Sequence, residues 1–150
     1  MASFPTSVKQ FGSLSGRDDI FDEIVALEKV GIVNEQQLSS TPLVNLNTAP
    51  ATTLYTVPAG KSCIITRVIM RLASTSLTTV SVSFGFTTAA FADVIADATH
   101  TELTGNTLYT ILIPKVGAFI GVAAATFKVL CNILQGGAAT ATIDVYGILF

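Results

Sequence analysis

The stretch Thr78-Thr-Val-Ser-Val-Ser-Phe-Gly-Phe86 sets the fold class. Val80, Val82, Phe84 and Phe86 alternate with Thr79, Ser81, Ser83 and Gly85. A period of two puts the first set on one face of a β-strand, expected to point inward, and the second on the other, expected to point outward. A helix cannot bury this pattern, because positions two apart fall on nearly opposite sides of it.

The same period recurs on both sides. Residues 52–57 read as a strand, followed by the turn Pro58-Ala-Gly60, where Pro58 removes a donor and Gly60 permits a tight reversal. Residues 62–73 read as a long strand, with Ile64, Thr66, Val68, Met70 and Leu72 on one face and Cys63, Ile65, Arg67, Ile69 and Arg71 on the other. Residues 87–106 read mostly as loop, with short strands near Val94 and Thr101. Residues 107–113 form a strand ended by Pro114, and residues 118–123 a weaker one. Residues 126–134 place Phe127, Val129, Cys131 and Ile133 on one face. Gly136-Gly137 is expected to be a hairpin turn. The last strand, residues 138–150, alternates Ala141, Ile143, Val145 and Leu149 against Thr140, Thr142, Asp144 and Tyr146. About eight strands with short turns predict a mainly β protein, an antiparallel sandwich of jelly-roll type, with a small barrel as the alternative.

The chain divides by charge into residues 1–47 and 48–150. The first part carries Lys9, Arg17 and Lys29 against Asp18, Asp19, Asp22, Glu23, Glu28 and Glu35. Phe4-Pro5 and residues 8–11 read as an extended arm, and Gly12-Ser-Leu-Ser-Gly16 as flexible punctuation. Asp18 or Asp19 can cap a short α-helix, and Asp22 and Glu23 in its first turn suit the helix dipole. Ile20, Ile24 and Leu27 form one apolar stripe, and Gly31 stops the helix. So short a helix is marginal alone and calls for a partner. A second short helix is expected near Asn34 to Leu38, before Pro42.

Composition narrows the function. Half of the 150 residues are apolar and only 12% are charged. Mean hydropathy is +0.63. The charged share is roughly half that of ordinary globular proteins, and a single domain of this size has little interior in which to hide apolar surface. Residues 111–122 are the nearest approach to a membrane span, but Pro114, Lys115 and Gly117 interrupt them, so no membrane partner is expected. No basic start followed by an apolar run is present, so no secretory signal is expected. The net charge of −2 argues against a nucleic-acid partner. Association between copies is the expected way to cover the surface. Outward faces of Thr, Ser and Ala suit a flat β partner, and the Lys and Glu that keep sheet edges apart are scarce. The end Ile148-Leu-Phe150 is expected to be buried, either between copies or within its own sandwich.

Chemistry is sparse. His100, the one histidine, sits in Asp97-Ala-Thr-His-Thr-Glu102 with Asp93 nearby, and the spacing fits no metal motif. G-x-S-x-G, P-loop and G-x-G-x-x-G sequences are absent, and no Trp is present to stack on a sugar. No enzyme activity and no cofactor are expected. Cys63 and Cys131 read as small buried apolar side chains rather than an inter-strand disulfide. Arg67 and Arg71 share a strand face and could latch onto an acidic partner, such as the helix of a neighbouring copy. Two solvated arginines lying along the sheet are the plainer reading.

Two segments carry a family resemblance. Met1-Ala-Ser-Phe-Pro-Thr-Ser-Val-Lys-Gln-Phe11, followed by Asp22-Glu-Ile-Val-Ala-Leu-Glu28, resembles the N-terminal arm of tailed-bacteriophage virion proteins. Leu54-Tyr-Thr-Val-Pro-Ala-Gly-Lys61 resembles a strand–turn–strand segment of small phage structural β-domains. The resemblance implies a capsid decoration or head-fibre protein, located in the virion after assembly in the host cytoplasm. It implies a homo-oligomer, a trimer by the habit of such proteins, bound to the major capsid protein or another virion protein. Phe4, Pro5, Val8 and Phe11 are the arm residues expected to bind that partner. Ile20, Ile24, Leu27, Arg67 and Arg71 are the expected contacts between copies. A tail, baseplate or glycan-recognising receptor module is the alternative. A small β-sandwich enzyme or carbohydrate-binding accessory domain is the reading from a different class.

Overall fold

The computed structural model describes residues 35–87 and 89–150. The arm residues Phe4, Pro5, Val8 and Phe11, and the helical stripe Ile20, Ile24 and Leu27, lie outside the described residues. The compact unit Glu35–Phe150 opens ahead of residue 48, at which the charge pattern divides the chain.

Eight strands build it: β1 Gln36–Asn45, β2 Thr52–Thr56, β3 Cys63–Arg71, β4 Ser81–Gly85, β5 Ile95–Thr99, β6 Tyr109–Leu112, β7 Thr126–Ile133 and β8 Thr140–Leu149. They form two four-stranded sheets, ordered β1-β8-β3-β6 and β2-β7-β4-β5, with every pairing antiparallel. The pairs β1·β8, β2·β7, β3·β6 and β4·β5 nest one inside the next. This is the jelly-roll order, so the sandwich expected from the alternation is present and the barrel is not.

The core lies between the sheets. One layer supplies Val68, Met70, Ile143 and Val145, and the other Val82, Phe84, Phe127 and Val129, all nearly solvent-free. Phe127 holds the second layer together, with its ring 6.2 Å from Phe84 and 5.1 Å from Phe86. Cys63 and Cys131 are free and buried, on strands of opposite sheets. Burial pushes the Cys63 thiol up to about 11.

Several local expectations are corrected. Of the helix expected near Asn34 to Leu38, Asn34 lies outside the described residues, and residues 36–38 are strand instead, because β1 begins at Gln36 and pairs with β8. Pro42 is tolerated there because β1 is an edge strand whose pairing slips between Thr41 and Val44, with Leu43 at φ 54°. In β3 the alternation breaks at Thr66, where the pairing with β8 shifts between Ile65 and Arg67. The extra residue reverses the parity, so Cys63 and Ile65 share the buried face with Val68 and Met70. The outward face of β4 is not solvated. Ser81 and Ser83 are buried, the first donating to Asp97 and the second to the Ala90 carbonyl.

Gly136-Gly137 is not the expected hairpin turn. Pro58–Gly60 does turn tightly, with Gly60 at φ 72° and Lys61 N–H donating to the Pro58 carbonyl at 3.2 Å. It nevertheless carries the chain from one sheet to the other, as Gly136-Gly137 does between β7 and β8. Residues 118–123 form no strand, only a bridge between Gly121 and Cys63. The expected strand near Thr101 is absent. Ile133, expected on one face with the buried Phe127, Val129 and Cys131, is 55% exposed.

Candidate interaction face

The outer face of the β1-β8-β3-β6 sheet carries the residues that could act. Register fixes its rows. Ile111, Ile69, Asp144 and Ser40 lie side by side across β6, β3, β8 and β1, and Tyr109, Arg71 and Thr142 form the next row. At the other end Ile64 faces Ile148. Ser62 and Phe150 exchange backbone hydrogen bonds at 2.8 and 2.9 Å.

Beyond β6 the chain makes an excursion through Pro114 to Phe119 and then returns to the same sheet edge. Cys63 and Gly121 exchange both backbone hydrogen bonds, at 2.7 and 2.9 Å. Only glycine allows this approach, because a Cβ there would lie 2.5 Å from Phe86 Cζ and 2.9 Å from Cys63 Sγ. With Gly121 facing inward, its neighbours Ile120 and Val122 face outward beside Ile64. Tyr109, Ile111, Ile113, Ile120 and Val122 therefore form one apolar column along the edge, each 47–65% exposed. Ile64 and Phe150 adjoin it and are also exposed. The end of the chain is thus half open on this face rather than closed inside the sandwich.

The expected pair Arg67 and Arg71 does share this face, and both side chains have carboxylates within their own chain. Arg71 Nε donates to Asp144 Oδ2 at 2.6 Å, and Ser40 Oγ donates to Asp144 Oδ1 at 2.6 Å. Burial pulls the Asp144 carboxyl upward, but the hydrogen bonds from Arg71 and Ser40 and the guanidinium charge outweigh it, so it sits below its ordinary value. Arg67 Nη2 reaches Glu35 Oε2 at 2.5 Å, and its guanidinium carbon lies 4.5 Å from the centre of the Tyr146 ring. Thr66 Oγ1 donates to Glu35 Oε1 at 2.6 Å. Glu35 is therefore clamped to β3 where the described unit begins.

Next to the Arg71–Asp144 pair is an open concavity of about 450 Å³. Gln37, Arg71, Leu72, Asn106, Tyr109 and Tyr146 are among its lining residues, with Asp144 and Leu108. The acids near His100 are spent elsewhere. His100 Nδ1 meets Glu102 at 3.2 Å, Asp93 accepts the Phe86 and Thr87 N–H groups, and Asp97 accepts from Ser81 and Asn132. Among the described residues no three metal-binding side chains gather.

The apolar column was missed by the sequence reading. Its signal was present in Ile111-Leu-Ile113, which is apolar on both faces of a strand and so asks for cover on both.

No protein family matches the chain, and no curated protein matches it. Among solved structures it is similar to a chain described as "Cyanophage Pam1 capsid asymmetric unit". That likeness has a TM-score of 0.47 and 15% sequence identity, and covers 77% of this chain and 84% of the other.

Proposed function

We propose that the chain is a non-enzymatic structural protein of a tailed-phage virion, a capsid decoration or head-fibre component. It attaches through residues 1–12 and self-associates, as a trimer, through its β-domain. The observation that carries the reading is the arm motif Phe4-Pro-Thr-Ser-Val-Lys-Gln-Phe11 placed ahead of a body with few charges and an apolar edge. An extended arm can add main-chain hydrogen bonds to a host sheet while Phe4, Pro5, Val8 and Phe11 fill pockets. Several arms held by one oligomer bind far more tightly than one. The stripe Ile20, Ile24 and Leu27 supplies a further contact to a neighbour. Arg67 and Arg71, engaged within the chain, stiffen the face.

The concavity beside Arg71 and Tyr109 favours a second reading, a receptor module whose ligand is a glycan. Tyr109 and Tyr146 beside Gln37 and Asn106 in its lining offer a sugar both ring faces and amide partners.

Deleting residues 1–12 tests the first reading. The truncated protein should fold as before and no longer co-sediment with phage particles. Retention at wild-type stoichiometry would refute it. Quantifying copies per particle then separates a capsid position, with many copies, from a tail position, with few.

A further inference from the structure

We propose that the column Tyr109, Ile111, Ile113, Ile120 and Val122 is the contact surface between copies of this chain, the same columns of three copies meeting around a three-fold axis. The proposal rests on the self-associating reading above and assigns it a place on the molecule.

Area is the first argument. At roughly 80 Å² for each half-exposed large side chain, about half of what a full one carries, the column with Ile64 and Phe150 offers on the order of 550 Å². That approaches the upper end of the largest apolar patch on an ordinary monomer, about 300–600 Å², and is most of the ~800 Å² that a stable interface takes from each partner. Water gains little by staying on it.

Charge is the second argument, and it selects the occupant. No ionisable group but the Tyr109 phenol lies in the column. The two cations behind it are matched within the chain, Arg67 by Glu35 and Arg71 by Asp144. Lys115, exposed in the excursion, has its ammonium on the Ala92 carbonyl, so the column itself has no handle for a strongly charged partner, and such faces meet without repulsion. An apolar strip that is uniform along its length is complementary to itself.

The edge supplies the third argument. β6 is a terminal strand of its sheet, and its paired residues Tyr109 to Leu112 include no Lys, Pro or inward charge of the kind that guards an edge against another chain. The excursion at Pro114 interrupts the edge without covering it.

Light scattering on the full chain after size-exclusion chromatography, at tens of micromolar, is the test. Wild type should run above the 15.7 kDa monomer. Ile113→Glu and Ile120→Glu should each weaken association by about 30-fold or more, as a charge placed in the centre of an interface does, and run as monomers. Leu43→Glu, on the opposite edge strand and 75% exposed, should keep the wild-type mass. Circular dichroism melts identify any variant that fails to fold, and Val122→Lys then takes its place. A monomeric wild type overturns the assignment, and so do column variants of wild-type mass or dissociation by Leu43→Glu. Particle co-sedimentation keeps the two readings apart. A monomer that still binds particles defeats this interface alone, and an oligomer that never binds them defeats the virion role alone.

Discussion

Replacing Gly147 by alanine should unsettle the sandwich from within its central strand. Gly147 lies in β8 between two partners, Gln36 of β1 and Ile65 of β3. A Cβ built there runs into the backbone carbonyl oxygen of Ile64 and comes within 2.8 Å of Leu38 Cδ1. The Leu38 side chain can rotate aside, but the carbonyl cannot, because it belongs to the neighbouring strand. Relief requires β3 and β8 to part by about 1 Å, at an overpacking cost of about 1–3 kcal/mol. At least one weakened ladder hydrogen bond adds about 1 kcal/mol. The expected loss is about 2–4 kcal/mol, or a fall in Tm of roughly 8–16 °C for a domain of this size. Gly137→Ala is the matched control. Nothing lies within 4 Å of a Cβ there and its φ is not positive, so it should stabilise by about 0.4–1 kcal/mol through the unfolded chain. Urea unfolding with an unchanged slope, together with thermal melts at matched concentration, measures both. A Gly147→Ala protein that melts within about 2 °C of wild type would refute the packing argument.

Acid stability should report on Asp144. Its carboxyl is held below its ordinary value in the folded state, so its contribution is present above the unfolded carboxylate pKa near ~3.9 and disappears as pH falls through the lower folded value. Asp144→Asn should therefore lower stability at pH 7 and flatten the acid limb of the stability–pH curve; an unchanged limb would show that the pair with Arg71 contributes nothing. Cys63 and Cys131 are both buried, and burial raises both thiols. Neither should react with iodoacetamide at pH 8 in the folded protein, and both should react in urea, as read by mass spectrometry.

Much of the body was legible in the sequence because half-buried strands announce themselves by period. Val80, Val82 and Phe84, and Ala141, Ile143 and Val145, join the core as their alternation says. The failures have physical causes. Thr66 carries a bulge that no propensity marks, and it reversed the faces of half of β3. Gln36-Gln-Leu38 looked helical, yet pairing with β8 overrode that local preference. Gly136-Gly137 has hairpin chemistry but, like the tight turn at Pro58–Gly60, joins strands of different sheets, since a turn specifies a reversal and not the identity of the strand that follows. Ser81 and Ser83 looked solvated because burial of a hydroxyl depends on distant partners, here Asp97, Asn132 and the Ala90 carbonyl. For the candidate face, the kinship of Arg67 and Arg71 was readable, but their carboxylates were not. Asp144 and Glu35 reach them only through strand order. The column needed more still, because Ile120 joins Ile113 across an excursion that only the Gly121 approach to Cys63 closes.

The placement of β8 between β1 and β3 bears on how the protein is made. Residues 140–149 leave the ribosome after every other strand, yet they are the central partner of their layer. Until they emerge, Gln36–Asn45 and Cys63–Arg71 have no shared neighbour, and the nascent polypeptide holds two open edges, that of Cys63–Arg71 rich in isoleucine. Nested pairing of this kind also folds slowly, because the longest loops close last. Synthesis is then the interval in which a crowded cell would most easily lose this chain to aggregation.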